Sequence, residues 1–475
     1  MTNTRFSFAR FLSEIGALLT LSLPIIITQI ATQSMAFVDT SMAGQASAVD
    51  LAAIAVGASL WVPVSLLMRG TIMALTPITS HHVGAGRLDQ IAHDLGQTLW
   101  IALMCSVLLV AYIIASQPLL TYMEVAPEIV PIASDYMTAL AFGVPGIAIF
   151  YCLISFCEGM GNTRAPMIVA LMGLVANIPL NYILIYGKFG FPQLGAVGCG
   201  WATSFVYWLM ASTLLGYIVH HKEYRGILNL REMMPSFARI WDILKLGVPI
   251  GVNIFICGSI FALIALLIGK LGANNIAAHQ VALNFSAMVY MVPMSLAFGI
   301  TIRVGHILGQ GDKDAARLRS LSGLLLTVAF SSISASCILL FPEAIIGIYT
   351  NNADVIASAS VLLVFAAVYQ ISDAVQTSAN GALRGYKDTR VPMVIAFVSY
   401  WVVALPLGYI LGLTNLLVPA MGASGFWVGI VVGLTLAAIL MLLRLAVVFK
   451  RNRTAGEEEP QAEPALLDTV VPEPA

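Results

Sequence analysis

Four polar side chains recur on one face of an otherwise apolar stretch around residue 373. They are Tyr369, Asp373, Gln376 and Asn380, and spacings of four, three and four residues place them along one side of an α-helix. Asp373 precedes Gly381 by eight residues, so about 12 Å of helix separates the carboxyl from the following turn at ~1.5 Å per residue. A carboxylate at that depth is costly in hydrocarbon and normally faces a protein interior or a wet cavity. The pattern predicts a functional intramembrane acid, with a purely structural buried aspartate as the alternative.

A second deep acid, Asp39, ends a polar line in the first apolar run. Thr28 and Thr32 precede it at helical spacing, so the three side chains share one face. Asn177 and Asn181 lie one turn apart in a later run and point the same way. Their amides offer either carbonyl oxygens or hydrogen bonds to Asp39, while packing between helices is the alternative.

The stretch from 279 to 294 carries candidates for a substrate cavity. Gln280 and Asn284 are one turn apart and either line a cavity or bond between helices. Met288, Met291 and Met294 recur every three residues. Methionine surfaces adapt to varied ligands, although plain packing explains this spacing equally well.

Two further polar residues stand alone in apolar surroundings. His279 fits a structural histidine better than a protonatable group. Arg69 lies 11 residues before Ser80. Its side chain either extends toward the polar end of its helix or serves as counter-ion to an acid.

Composition indicates the setting of these residues. The chain has 475 residues, of which 59% are hydrophobic and 10% charged, whereas soluble domains carry about 25% charged residues. Its net charge is −1, and no basic stripe with interleaved aromatic residues suggests nucleic-acid binding. The six cysteines form no CxxC pair, so neither disulfides nor zinc are expected. No P-loop, HExxH or GxSxG motif is present, so we expect neither an enzyme nor ATP as energy source.

Twelve apolar runs have the length of a membrane span. They form two sets of six, within residues 15–219 and 242–449. We expect an all-α integral membrane protein, with residues 1–14 as the N-terminus, 220–241 as a linker and 450–475 as a disordered tail. The odd-numbered connections hold two of the 23 basic residues, whereas the N-terminus, the even-numbered connections and the tail hold 18. The positive-inside rule therefore predicts that both termini are cytoplasmic.

The two sets are copies of each other. His81 and His306 are 225 residues apart, TRAPM at 163–167 matches TRVPM at an offset of 226, and GAVG at 195–198 matches GASG at an offset of 227. Six helices per copy predict parallel repeats, with a cleft between two pseudo-symmetric bundles. The acids are not copied, because Asp39 maps onto Ile264 and Asp373 maps onto Ile147.

Several longer motifs carry a family resemblance over about residues 10–450. They are FVDTSMAG at 37–44, EGMGNTRAP at 158–166, AAHQVALNFSAMV at 277–289, IRVGHILGQGD at 302–312 and SDAVQTSANGALRGYKDTRVP at 372–392. With these motifs the chain resembles the multidrug and toxic compound extrusion (MATE) family, in its NorM-type bacterial branch. The resemblance implies a twelve-helix antiporter that exports cationic, mostly aromatic compounds in exchange for sodium ions or protons.

The resemblance also implies a set of site residues. The expected cation- and proton-binding residues are Asp39, Asn177, Asn181, Thr203, Asp373 and Tyr369, and sodium would bind at Asp39, Asn177 and Asn181. The expected cavity adds Gln280, Asn284, Met288, Met291 and Gln376 to Asp373. One position departs from the family, since Cys257 stands where sodium-coupled members carry a glutamate. A thiol is a poor ligand for a hard cation, so sodium binding in the second lobe is in doubt.

The sequence therefore predicts a multidrug efflux antiporter of the bacterial inner membrane, working as a monomer by alternating access. We expect cationic drugs and dyes as substrates, the lipid bilayer as its surroundings, and no cofactor beyond the coupling ion. A flippase of lipid-linked precursors is the alternative within transport, but it would favour a cavity rich in arginine and lysine. A membrane receptor or channel is the alternative from another class.

Overall fold

The computed structural model describes residues 8–122, 126–222, 224, 233–350 and 352–457. Within these residues the regular structure is helical, and twelve segments are long and apolar enough to cross a membrane. The predicted fold class is confirmed. The helices are α1 (Phe8–Ala46), α2 (Ala48–Ile72), α3 (Leu75–Gly84), α4 (Asp89–Tyr122), α5 (Ile129–Gly159), α6 (Arg164–Tyr186), α7 (Ala196–His220), α8 (Phe237–Gly269), α9 (Ala273–Gly309), α10 (Lys313–Leu340), α11 (Pro342–Gly347), α12 (Ala353–Gly385), α13 (Arg390–Phe397), α14 (Leu405–Leu413) and α15 (Ala423–Glu457).

Local sequence signals fix several helix ends. The Ser47 side chain accepts a hydrogen bond from the Val49 amide at 3.1 Å and caps α2. Asp312 caps α10 in the same way, accepting from the Ala315 amide at 2.8 Å. Gly187 ends α6 in the left-handed region with φ +65°. Polar caps and glycine therefore place helix ends where the apolar runs stop.

Two spans are interrupted rather than straight. Helices α2 and α3 form one span that turns at Met73 and Ala74. Helices α13 and α14 form another, joined by a π-helical segment from Val398 to Ala404. Such segments often occur at functional positions. The π-helical segment presents Tyr400 toward α12, which bears on the second acid site below.

The chain folds as two lobes, α1–α7 and α8–α15, each with its own apolar core. Ile264 and Ile147 are buried in these cores, so the positions equivalent to the two deep acids are packing positions. Two smaller apolar clusters combine residues from both lobes. Phe298 and Ile25 belong to one of them, and Ile78 and Ile250 to the other.

The lobes are joined at the end of the molecule that carries the first and last described residues, here called the terminal face. Two histidines cross between the lobes in a reciprocal pair. His81 Nε2 donates to the carbonyl oxygen of Gly385 at 2.7 Å, and His306 Nε2 donates to that of Gly159 at 2.8 Å. The two histidines are 225 residues apart and the two glycines 226. The repeat seen in the sequence therefore also relates the two hydrogen bonds that join the lobes.

Ion pairs cross the same face at equivalent positions with their charges exchanged. Arg239 of α8 binds Asp94 of α4 through two hydrogen bonds of 2.6 and 2.9 Å. Its equivalent in the first lobe is Glu14 of α1, which pairs with Arg303 and Arg319 of the second lobe. These contacts close the terminal face between the lobes, and the opposite end of the molecule is here called the open face.

The spans are longer than predicted, and this shifts three boundaries. Helix α1 begins at Phe8, inside the predicted N-terminal segment 1–14, and α8 begins at Phe237, inside the predicted linker 220–241. Helix α15 continues to Glu457, so the first residues of the predicted tail 450–475 are helical rather than disordered. The rest of that tail lies outside the described residues. Polar and charged residues at the helix ends extend past the apolar runs that the prediction used.

We expect Gly84→Ala to weaken the closure of the terminal face. A Cβ atom at residue 84 would lie 1.9 Å from the carbonyl oxygen of His306, so the lobes must separate locally to admit it. Overpacking of this kind lowers the free energy of unfolding by about 1–3 kcal/mol. Thermal unfolding of the purified protein measures the change.

Gly16→Ala is the matched control, because Gly16 lies in α1 near the same face and a Cβ atom there meets nothing within 4 Å. A Gly84→Ala protein as stable as the wild type would contradict the close approach of α3 and α9.

Candidate functional site

The first lobe builds a hydrogen-bonded carboxylate site around Asp39. Asn177 and Asn181 donate to Asp39 Oδ1 at 3.0 and 2.6 Å, and Thr203 donates to Oδ2 at 2.8 Å. The two asparagines are almost fully buried. Helices α1, α6 and α7 therefore converge on one carboxylate, and the amide spacing noted in the sequence produces the predicted hydrogen bonds.

The side chains around Asp39 also contain acceptor oxygens. Asn181 Nδ2 bridges to Asn177 Oδ1 at 3.1 Å, while the Asn181 Oδ1 atom is buried and has no hydrogen-bond partner. A buried acceptor without a partner is costly. Rotation of the Asn181 amide would turn this oxygen toward Asp39, and together with the carboxylate and the Thr203 hydroxyl it would give a small oxygen cage. Hard cations such as sodium prefer such ligands.

The predicted polar line leading to Asp39 does not extend the site. Thr28 Oγ1 donates to the carbonyl of Pro24 at 2.9 Å, and Thr32 Oγ1 to that of Thr28 at 3.1 Å. Both hydroxyls are thus bonded within their own helix. They line a small cavity between the lobes nearer the terminal face.

The second lobe holds Asp373 very differently. Its described hydrogen bond is a single long contact, from Thr377 Oγ1 to Asp373 Oδ1 at 3.5 Å. Tyr369, which shares this helix face, is not among the described hydrogen-bond partners of Asp373, and its ring packs edge-on against Trp427 with centroids 6.0 Å apart. Asp373 is a half-buried acid with few partners, whereas Asp39 is held by three donors.

Gln376 is a correction to the predicted cavity. It is buried, and its Oε1 accepts a hydrogen bond of 2.8 Å from the Tyr400 hydroxyl. The one-face spacing placed Gln376 beside Asp373 correctly along the helix, but the π-helical segment covers its side chain. Sequence spacing could not anticipate this, because the covering residue belongs to another span.

Cys257 and Asn380 lie around a shared neighbour, Asn253 of α8. Cys257 Sγ contacts Asn253 Oδ1 at 3.8 Å, and Asn380 Nδ2 contacts the same oxygen at 3.5 Å. The Asn253 Nδ2 atom is buried without a partner. The second lobe therefore places an amide and a thiol near its acid, with no second carboxylate among them.

The other predicted cavity residues divide by exposure. Gln280, Asn284 and Met288 lie on the exposed side of α9, with Met288 63% exposed, while Met291 and Met294 are half-buried. The exposed three are available to a ligand, and the other two contribute to packing.

For His279 and for Arg69 the structure distinguishes between the two roles considered from the sequence. His279 is fully buried and its Nδ1 accepts a hydrogen bond from Trp427 Nε1 at 3.2 Å, which is a structural role. Arg69 does not extend to the polar end of its helix. Its guanidinium donates to Gln29 Oε1 at 3.0 Å and lies 4.5 Å from the centre of the Tyr151 ring, in the cavity that Glu158 also lines.

A charged pair at the floor of the cleft was missed from the sequence. Glu158 and Arg384 are the penultimate residues of α5 and α12, and both are 8% exposed. Arg384 lies 5.2 Å from the centre of the Phe298 ring and its Nε has no hydrogen-bond partner. The two residues are 226 apart, so the repeat offset could have found them. Equivalent positions carry opposite charges, as at the terminal face.

Two lobes of six membrane-spanning segments, each with a deep aspartate, are typical of a membrane transporter. The MatE family model matches residues 24–183 and 249–410, more than half of the chain. The chain belongs to the MATE family of transporters.

Solved structures agree with this assignment in their fold. The eukaryotic MATE transporter AtDTX14 matches with a TM-score of 0.84 at 20% identity, over 94% of this chain and 99% of that chain. The MATE transporter VcmN of Vibrio cholerae, in its bent form, matches with a TM-score of 0.82 at 17% identity, over 94% and 99%. A MOP superfamily transporter from Pyrococcus furiosus, described as having a binding pocket of reversed polarity, matches with a TM-score of 0.82 at 20% identity, over 92% and 96%.

We expect Tyr400→Phe to destabilise the second lobe. The substitution removes the donor to Gln376 Oε1 and leaves a buried acceptor without a partner, which costs about 1–3 kcal/mol of the free energy of unfolding. Thermal unfolding measures the effect. Tyr409→Phe is the control, because Tyr409 lies 47% exposed on the adjoining helix α14. Equal stability of the two variants would return Gln376 to the list of cavity residues.

Proposed function

We propose that this transporter is a secondary active antiporter that exports organic cations, including aromatic drugs and dyes, in exchange for protons, sodium ions or both. The observation that carries the proposal is the contrast between its two acids. Asp39 is fixed by three donors within 3.0 Å, whereas Asp373 receives one contact of 3.5 Å. Two carboxylates in such different surroundings suit two different tasks.

The first-lobe site is suited to a coupling ion. The three donors to Asp39 favour its charged form, because hydrogen bonds to a carboxylate stabilise it. A sodium ion would be bound by Asp39, the Thr203 hydroxyl and the asparagine carbonyl oxygens after their amides rotate. A proton arriving instead would neutralise Asp39 and release the three donors. Either ion changes the hydrogen bonds that link α1, α6 and α7.

The second-lobe site is suited to exchange of a proton for the cargo. A carboxylate with one long hydrogen bond loses little when it is protonated. Once neutral, Asp373 has no electrostatic attraction for a cation, and once ionised it attracts one. Cys257 supplies no negative oxygen ligand nearby, so protons rather than sodium are favoured at this lobe.

Alternating access requires that the contacts at the terminal face break and that new ones form across the open face. The contacts at the terminal face are hydrogen bonds and ion pairs on a glycine-rich surface. Such contacts separate more readily than a large apolar core. The excess of basic residues in the even-numbered connections supports cytoplasmic termini. We infer that the protein works as a monomer in the bacterial inner membrane.

A second candidate function is transport of an anionic, lipid-linked cargo. Arg69 and Arg384 lie near the floor of the cleft, and arginine is the side chain best suited to binding phosphate groups. Glu158 lines the cavity beside Arg69 and offsets one of these two charges, and the two deep aspartates, Asp39 and Asp373, add negative charge to the cleft. Cationic cargo therefore remains the better match to the cleft as a whole.

The proposal predicts that Asp39→Asn abolishes coupled export. The variant keeps the size of the side chain but cannot carry the charge on which ion coupling depends. We expect wild-type protein in everted vesicles to concentrate a cationic dye against its gradient under an imposed proton or sodium gradient, and the variant to fall to the rate of empty vesicles.

Asp135→Asn is the control, because Asp135 is an exposed acid of α5. Dye movement that only follows its own gradient would indicate a channel. Transport of a lipid-linked pyrophosphate in preference to the dye would favour the second candidate function. Full dye accumulation by Asp39→Asn at equal expression would remove Asp39 from the coupling.

For Asp373 the sharper measurement is equilibrium binding of a cationic dye across pH. Protonation as pH falls removes the negative charge, so wild-type affinity should decrease at low pH. Asp373→Asn has no charge to lose and should bind weakly at every pH. Fluorescence anisotropy of the dye on purified protein reports both curves.

Asp354→Asn controls for the substitution itself, because Asp354 is an exposed acid in the first turn of the same helix. Its curve should match that of the wild type. Tight binding by Asp373→Asn that does not vary with pH would exclude Asp373 as the exchange site, whatever the coupling ion at Asp39.

A further inference from the structure

A separate cavity of about 340 Å³ opens at the terminal face, away from the cleft and its acids. It lies where α8 meets the turn between α12 and α13, and Ile78 of α3 contributes to its wall from the other lobe. Four basic side chains and two acidic ones line it: Arg239, Lys245, Lys387, Arg390, Asp242 and Asp388. The cavity is thus open, charged and bordered by both lobes.

The acids of this cavity already have cationic partners. Arg444 Nε binds Asp388 Oδ2 at 2.6 Å, and Lys245 Nζ binds Asp242 Oδ1 at 3.0 Å. Arg239 is likewise occupied, by the ion pair with Asp94 across the lobes. Negative charge is therefore neutralised around the cavity.

Two cations remain without a side-chain partner. Lys387 and Arg390 are exposed, and neither side chain takes part in a hydrogen bond or ion pair in the part of the chain that the structure describes. Arg390 is also the first residue of α13, so the amide groups at that helix start add to the positive potential. The cavity therefore presents a net positive charge with two free donors.

The backbone at Lys387 gives independent evidence for a role of its side chain. Lys387 has φ +59°, a left-handed conformation that glycine adopts at lower conformational cost. The equivalent turn in the first lobe has glycine at this position, Gly161 with φ +83°. A strained residue retained where glycine would serve points to function rather than to folding.

The remaining differences between the halves point the same way. Lys245 corresponds to Thr20 and Asp388 to Asn162, whereas Arg390 is matched by Arg164. The fold repeats the turn and its arginine, but the cluster of charges is specific to the second lobe. As with the intramembrane acids, the charged side chains differ between the two halves, whereas the backbone turn that carries them is the same in both.

Exposed aromatic side chains lie beside the cavity. Trp241 is 61% exposed one turn before Lys245 on α8, and Lys245 Nζ is 6.0 Å from the centre of its ring. Phe237, at the start of the same helix, is also highly exposed. Aromatic side chains in this position mark the boundary between hydrocarbon and water. A phosphate group that reaches the cavity therefore comes most directly from the adjacent lipid layer.

We propose that this cavity binds the phosphate group of an anionic phospholipid through Lys387 and Arg390. Basic pockets between membrane helices are suited to such headgroups. Since the walls come from both lobes, a bound headgroup stabilises the arrangement in which the terminal face is closed. The assignment is independent of the cargo and of the coupling ion.

The test is native mass spectrometry of the purified full chain with phosphatidylglycerol or with phosphatidylcholine. Wild-type protein should retain phosphatidylglycerol preferentially. The double variant Lys387→Gln/Arg390→Gln should lose about thirtyfold in apparent affinity, as expected for two cations near a lipid surface. The control is Arg164→Gln, the equivalent arginine of the first lobe, which should retain the lipid as the wild type does.

Lys387→Gly separates binding from folding. It removes the side chain and relieves the left-handed strain, so its melting temperature should equal or exceed that of the wild type while lipid retention falls. Equal phosphatidylglycerol retention by wild type and double variant would overturn the proposal. So would stabilisation of the wild type by inorganic phosphate without any effect of phosphatidylglycerol, since the site would then take a soluble phosphate.

Discussion

The contact on which the rest of this structure depends is the reciprocal closure between the lobes at the terminal face. His81 and His306 each donate to a carbonyl at the end of a helix in the opposite lobe. Gly84 and Gly309 permit this approach, because a Cβ atom at either position would clash with the backbone of the other lobe. Hydrogen bonds and ion pairs across closely approaching helices are specific in geometry, and the apolar clusters that both lobes share are small beside the cores of the lobes. Such an interface can hold one arrangement firmly and still open as a unit, which is what a transporter built of two rigid lobes requires.

The two halves share their shape and differ in their charges. Equivalent positions carry Glu14 and Arg239 at the terminal face, and Glu158 and Arg384 at the floor of the cleft. At the terminal face each of these residues pairs with the opposite charge in the other lobe, Glu14 with Arg303 and Arg319, and Arg239 with Asp94. The deep acids follow a different rule, because each has a buried isoleucine as its counterpart. Repetition therefore explains how the scaffold closes, and departures from repetition mark where ions, cargo and lipid are expected to bind.

Membrane surroundings connect these features energetically. In hydrocarbon an unpaired polar group is costly, so each charged side chain within the spans needs a partner or a wet cavity. Asp39 has its partners in three donors, while Asp373 has few and is left responsive to whatever enters the cleft. At the boundary with water the same demand is weaker, and exposed cations without an ion pair, such as Lys387 and Arg390, are tolerated there. Asp39 is therefore well paired, Asp373 is sparsely paired, and the two cations at the membrane surface have no side-chain partner.

Much of this protein was determined by local features of its sequence. Apolar runs and their 225- to 227-residue repetition predicted the twelve spans and the two lobes, because helical periodicity and burial in lipid are set by neighbouring residues along the chain. Contacts between distant spans were decided only by the tertiary structure. Tyr400 covers Gln376 through a π-helical segment, Trp427 holds Tyr369 and His279, and Lys387 gains its significance from Arg239 and Trp241 of another helix. No spacing within one helix encodes which side chain of another helix will lie against it, since that depends on how the helices pack and rotate against each other.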